Sequence, residues 1–236
     1  MIVSSIRETN FPKNEVDCPM ITLKTREVVA DRQDVERLRG EFQERNCVLL
    51  TGLLDASLLA LLQPLIDNGL WCDKTHGDIA KEVVLHDERA LSLLHFAINS
   101  PVFLDAARTM TGCDEITWFG GRIYSLIPGT DHYDSWHDDV VDFEIRLVGM
   151  SINLSPKGYD GGVFELRERA AERVPVQIAN SGVGNARLFR IAPELQHQVT
   201  VVTGSRPRIA FAGWFYAGEP DLLSRLRKAT TPSHLD

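Results

Sequence analysis

Apolar residues follow a helical spacing through most of the first 112 positions and change to strand-like runs after it. Residues 31–45 form a charged amphipathic stretch. Residues 55–70 (DASLLALLQPLIDNGL) repeat the spacing behind Asp55, a residue suited to cap a helix. Between them, CVLLTGLLD reads as a short strand ending in a turn, and two further helices are expected over 87–99 and 101–110. Beyond Gly112 the segments 118–127, 146–155, 163–167, 186–191, 198–202 and 208–216 alternate or run apolar between Gly, Asn and Pro breaks. Short strands at such regular spacing predict a sandwich or barrel, not a parallel α/β sheet. The expectation is one mainly β domain with helical support: a helical N-terminal layer over 1–112, a β core over 113–216 and a tail over 217–236. A short helix is expected near 222–228.

Composition narrows the class. A chain of 236 residues with 44% hydrophobic and 8% aromatic content can bury one substantial core. Its net charge of −8 weighs against a nucleic-acid or anionic-membrane partner. Neither a secretory leader nor a run of about 18 apolar residues is evident, so a cytoplasmic, non-membrane protein is expected. The cysteines Cys18, Cys47, Cys72 and Cys113 include no C-x-x-C pair, which predicts reduced thiols and no structural zinc.

Candidate chemistry gathers in the second half. In an extended segment, positions i and i+2 face the same side, so His137 and Asp139 of WHDD can converge on one metal. His197, far downstream in another strand-like run, supplies a third ligand. Two histidines and one carboxylate leave about three positions open, which suits Fe(II) binding a chelating cosubstrate and O2. A zinc hydrolase site is the metal alternative. Two other tripeptides compete. His132-Tyr133-Asp134 repeats H-x-D close behind Gly129, in an expected loop, and His86-Asp87-Glu88 lies in the helical half, where i and i+2 diverge. The pair His137/Asp139 is favoured.

An ordered set of motifs then resembles a known family. RIY with LIPG, SWHDD, VGMSINLS, YDGGVFEL, GNARLF, HQVTVVTGSRPR and IAFAGWF, spanning 122–215, are similar to the 2-oxoglutarate/Fe(II) oxygenases of the prolyl 4-hydroxylase-like and AlkB-like branch. The resemblance implies a double-stranded β-helix, a jelly-roll (cupin-like) barrel with iron inside, and Fe(II), 2-oxoglutarate and O2 as cofactor and cosubstrates. It also implies a basic residue after the distal histidine to pair with the far carboxylate of 2-oxoglutarate. Arg206 and Arg208 are available. Arg208 is preferred because it begins the last strand with Trp214 six residues on, whereas Pro207 places Arg206 in the turn. Tyr124 and Asn153 fall where the family often places further cosubstrate hydrogen bonds, although Asn153 departs from the tyrosine found in some prolyl hydroxylases.

Blander roles stand beside these. Gly161-Gly162 reads equally well as a tight turn. Trp136 and Trp214 are wall or core residues before they are substrate binders, and Arg122 and Arg167 face either a pocket or solvent. His76, His95 and His234 are surface or core groups. The run RERAAER (167–173) is a solvated edge, or part of a lid over 167–181. The reaction implied is hydroxylation of an unactivated C–H bond, with release of succinate and CO2. A carboxylate at Asp139 leaves no ligand position for chloride, which disfavours halogenation. The expected substrate is a small molecule, amino acid or peptide, with a protein side chain (prolyl-type) second. A non-catalytic cupin-like binding module and a metal-dependent hydrolase are the readings from other classes.

Overall fold

Each of the four helices among the described residues starts on a side chain that satisfies its first free N–H groups. The computed structural model describes residues 21–141, 145–171 and 174–218. Cys18, His234 and the helix expected near 222–228 lie outside them. Asp31 accepts from the N–H groups of Gln33 and Asp34 to open α1 (Arg32–Arg45), and Asp55 accepts from Leu58 to open α2 (Ala56–Asp67). Asp87 accepts from Arg89 and Ala90 before α3 (Glu88–Ile98). Ser100 accepts from Phe103 before α4 (Pro101–Thr111), whose first residue is a proline that needs no partner there. Asn46 and Gly112 end α1 and α4 in the left-handed conformation.

The strands in chain order are β1 (Ile21–Leu23), β2 (Val28–Ala30), β3 (Cys47–Leu50), β4 (Leu70–His76), β5 (Ala80–His86), β6 (Ile116–Leu126), β7 (Tyr133–His137) and β8 (Arg146–Asn153). They continue with β9 (Asp160–Gly161), β10 (Phe164–Glu168), β11 (Val176–Ile178), β12 (Ala186–Arg190), β13 (Leu195–Val199), β14 (Val202–Thr203) and β15 (Arg208–Ala217). Eleven of them form one antiparallel sheet in the order β11-β10-β13-β7-β5-β6-β15-β8-β12-β3, with β4 beside β5. Strands remote in that order nevertheless touch. Phe164 of β10 packs on Phe189 of β12 at 4.9 Å, and His197 of β13 on the same ring at 4.5 Å. The sheet therefore curls into a barrel, the expected double-stranded β-helix.

Strand alternation sorts the two faces. On β15, Phe211 and Phe215 point outward into the layer shared with the helices, where Phe215 meets Phe103 at 6.3 Å. Burying each such ring stabilises the layer by roughly 1.5–3 kcal/mol. Ala212 and Trp214 of the same strand line the interior cavity. Cys47 and Cys113 are buried, Cys72 is half-buried, and all three are free thiols. No single helix among the described residues is long and apolar enough to cross a membrane.

Three local differences from the sequence reading bear on the site. Residues 70–86 form the hairpin β4–β5, whereas the pattern suggested only helices around them; β5 joins the main sheet beside β6 and β7. His86 thus ends a strand instead of sitting in a helix. The penultimate long segment starts at Leu195, so His197 stands mid-strand in β13 and not ahead of it.

Candidate metal and anion site

His137 closes β7 and pairs with His197 of β13 across the sheet, so neighbouring backbones carry both imidazoles inward. The His137 Nδ1 lies 2.6 Å from the Ser135 carbonyl, which requires a proton on Nδ1 and turns Nε2 toward Asp139. Asp139 arrives differently from the simple i, i+2 alternation expected. Strand β7 has ended, and a left-handed backbone at Asp139 (φ 61°) turns its carboxylate back between the imidazoles. Its oxygens lie 3.5 Å from His137 Nε2 and 3.3 Å from His197 Nε2. One ligand atom from each of the three falls within 4.8 Å of the others. Two imidazole nitrogens and a carboxylate on one side of a partly enclosed cavity are a donor set suited to Fe(II), with further positions left for other ligands.

The surroundings orient this carboxylate. Trp214 donates from Nε1 to Asp139 Oδ2 at 2.7 Å, and Arg146 lies 3.7 Å from Oδ1, with its guanidinium 3.9 Å over the Trp214 ring. Burial alone would raise the Asp139 carboxyl. The hydrogen bond and charge of His197, the His137 charge and the Trp214 N–H outweigh it and hold the group well below the usual carboxylate range. Next door, Asp138 turns outward to pair with Arg169. The competing tripeptide is split. His132 accepts from the Ile127 N–H in its loop, while Asp134 lines the cavity with its carboxylate 3.5 Å from His137 Nδ1.

Deeper in the barrel stands Arg208, 2% exposed, which donates to the Tyr124 hydroxyl at 2.6 Å and to Ser151 Oγ at 3.2 Å. Arg206 is exposed and bonds the Gly158 carbonyl in the turn. Gly161 and Gly162, at φ 66° and 58°, form more than a turn: a Cβ on Gly162 would stand 3.1 Å from Arg208 Cδ, so the missing side chain makes room for the arginine. Arg187 lines the cavity and shares Ser151 with Arg208, and the sequence does not single it out, because inside GNARLF it sits in a run that reads as core.

The cavity, about 240 Å³, also receives a wall from β5 and β6. Glu82 is 2% exposed, forms a two-pronged ion pair with Arg122 and bonds His76 Nε2 at 3.0 Å. Burial opposes ionisation of Glu82, but the His76 hydrogen bond and the Arg122 charge prevail and lower its pKa. Neither Glu82 nor its hairpin carried a signal in the sequence.

The remaining candidates separate by face. Trp214, Arg122 and Tyr124 line the cavity. Trp136 and Arg167 do not: they stack on each other, guanidinium to ring 3.9 Å, with Arg167 also bonded to Gln196. The alternation that turns His137 inward turns Trp136 outward, so the structure does not bring these two to the cavity. Asn153 is likewise not among the residues that line the cavity. Its amide group bonds Asn180, the Gly182 carbonyl and the Ser155 N–H, bracing a loop outside the cavity.

Three solved structures are similar along most of the chain. A prolyl-4-hydroxylase from Pseudomonas putida aligns with a TM-score of 0.60 and 16% identity, covering 78% of this chain and 99% of that one. An oxidoreductase of the 2OG-Fe(II) oxygenase family from Burkholderia pseudomallei gives 0.61 and 17%, covering 83% and 95%. A prolyl hydroxylase from Trichoplax adhaerens, in complex with a hypoxia inducible factor oxygen degradation domain peptide fragment, gives 0.60 and 17%, covering 84% and 95%. No family profile matches the sequence, and no curated protein matches it. At these identities the likeness establishes the fold, and function must be argued from the site.

Proposed function

We propose that this chain is an Fe(II)- and 2-oxoglutarate-dependent dioxygenase that hydroxylates an unactivated C–H bond of a small molecule, amino acid or peptide. The observation that carries the reading is the joint one: three metal-ligating side chains meet at one part of a barrel cavity whose floor holds buried arginine. A metal fits the donor set, and a dicarboxylic 2-oxo acid fits a cavity with ligating groups at one end and guanidinium at the other.

His137, Asp139 and His197 would hold the iron. Trp214 keeps the carboxylate turned toward it, and the Ser135 carbonyl keeps the His137 tautomer correct. Arg208, hydrogen-bonded to the cavity-lining hydroxyls of Tyr124 and Ser151, receives the far carboxylate of 2-oxoglutarate. When bound, the iron and 2-oxoglutarate together supply O2 activation, with the 2-oxo acid oxidised to succinate and CO2. The wall of Arg122, Glu82 and Trp214 positions the substrate and excludes water.

Anaerobic titration with Fe(II) and 2-oxoglutarate tests the assignment. A visible charge-transfer band should appear with the parent protein and vanish in the His137→Ala, Asp139→Ala double variant. An undiminished band in that variant rejects the ligand set. Turnover without O2 or succinate would instead favour a hydrolase. A second reading, a protein prolyl hydroxylase, gains support from the likeness to two prolyl hydroxylases, one with a bound peptide fragment. Hydroxylation of a proline-containing peptide, sought by a mass increase of one oxygen, separates it from the first.

A further inference from the structure

We infer that Arg187 is a second anchor for the far carboxylate of the cosubstrate, closing with Arg208 a two-guanidinium clamp at the floor of the barrel. The inference rests on the proposed function above and deepens it.

Arg187 stands on β12 and Arg208 on β15, with β8 between them in the sheet. Ser151 of β8 accepts from both, 3.4 Å from Arg187 Nη2 and 3.2 Å from Arg208 Nη2. Two cations thus meet over one hydroxyl. Both are buried, at 5% and 2% exposure, and Arg187 lines the cavity directly. The Phe164 ring, which also lines the cavity, supports its guanidinium at 4.5 Å.

The protein does not neutralise this pair. Among the described residues neither arginine makes an ion pair, and the Nε of each is buried without a hydrogen-bond partner. The groups around them are the hydroxyls of Tyr124, Tyr159 and Ser151, the Cys47 thiol, and the carboxyl of Asp134, which acts on Arg208 at longer range. Burial pushes the Cys47 thiol up to about 12 and raises the Tyr124 hydroxyl, so both stay neutral. Burial, and then the charge of Arg208, pull the Arg187 guanidinium down to about 10. Arg208 shifts the other way: burial opposes its charge, but Tyr124 and its other neighbours outweigh burial and raise it. The uncompensated charge is therefore that of Arg187, which destabilises the ligand-free fold unless an anion compensates it. A carboxylate offers about four lone-pair sites, enough for both guanidinium groups at once.

Arg187→Met tests the clamp by binding and by melting, with anaerobic Fe(II)-loaded full-length protein. Two ligands are compared: 2-oxoglutarate, and 2-oxobutyrate, which keeps the 2-oxo acid end and lacks the far carboxylate. The expected result is 2-oxoglutarate affinity about ten- to a hundredfold weaker, unchanged 2-oxobutyrate affinity, and a higher melting midpoint without ligand. Arg187→Lys should recover part of the 2-oxoglutarate affinity, and it carries the same comparison if Arg187→Met does not fold. Equal losses for the two acids, or no loss for either, overturn the clamp and leave the proposed function standing. Parent protein that binds neither acid overturns that function itself.

Discussion

The two ends of the cavity solve opposite electrostatic problems. At the metal end, Asp139 is half-buried and surrounded by its own compensation: two imidazoles, the Trp214 N–H and Arg146. At the floor, Arg187 and Arg208 are more deeply buried and face neutral hydroxyls. One end is preassembled from groups that stabilise each other, so it can be kept ordered before any ion arrives. The other is held in place by the surrounding barrel against its own repulsion. A ligand that chelates at one end and carries a negative charge at the other satisfies both.

That contrast can be broken at four points. The largest effect is expected from the His137→Ala, Asp139→Ala double variant, where succinate formation should fall by well over about a hundredfold, since even outer partners of a metal cost about 10–100-fold. Arg208→Met should weaken 2-oxoglutarate by about ten- to a hundredfold while Fe(II) affinity, read by metal titration, stays as in the parent. Glu82→Gln provides the control for a cation that the protein does pair. Arg122 loses its partner, and the folded state should lose about 2 kcal/mol in chemical denaturation, discounted from the larger cost of a fully buried pair. This is opposite in sign to the effect of neutralising Arg187. The Glu82 carboxyl is held below its ordinary value, so its contribution is fully present above about pH 4.5 and is lost as pH falls through the folded-state value. A parent stability that does not fall on acidification faster than that of Glu82→Gln would contradict the pairing. Smallest is Trp214→Phe, which removes one donor to Asp139 and should weaken Fe(II) about tenfold with little change at the arginine end.

Much of this architecture is legible in the sequence because local rules suffice. Asp31, Asp55 and Asp87 announce helix starts, and alternation announces β6, β8 and β15. The barrel and three ligands come from ordered motifs. What escapes depends on tertiary partners. Strand β4 (LWCDKTH) has a polar, half-exposed pattern that does not betray a hairpin, and the charge of Glu82 is explained by His76 across that hairpin and by Arg122, 40 positions away. Arg187 breaks no visible period, since an inward-facing strand position is apolar by default and only the fold reveals what it meets. Trp136 is a different case. Once His137 is set inward, the strand period already sends Trp136 out, so its outward face is legible in the sequence.

The left-handed backbone at Asp139 also acts as a filter on sequence change. For most L-residues that conformation costs about 1–2 kcal/mol, while Gly, Asn and Asp adopt it readily. Of these, Asp alone offers an anionic ligand. Variation at this position is therefore confined by the chain's geometry before chemistry is consulted. An Ala would lose the ligand and keep the strain, whereas a Gly would lose the ligand and relieve it. The path of least folding resistance away from this metal site runs through glycine.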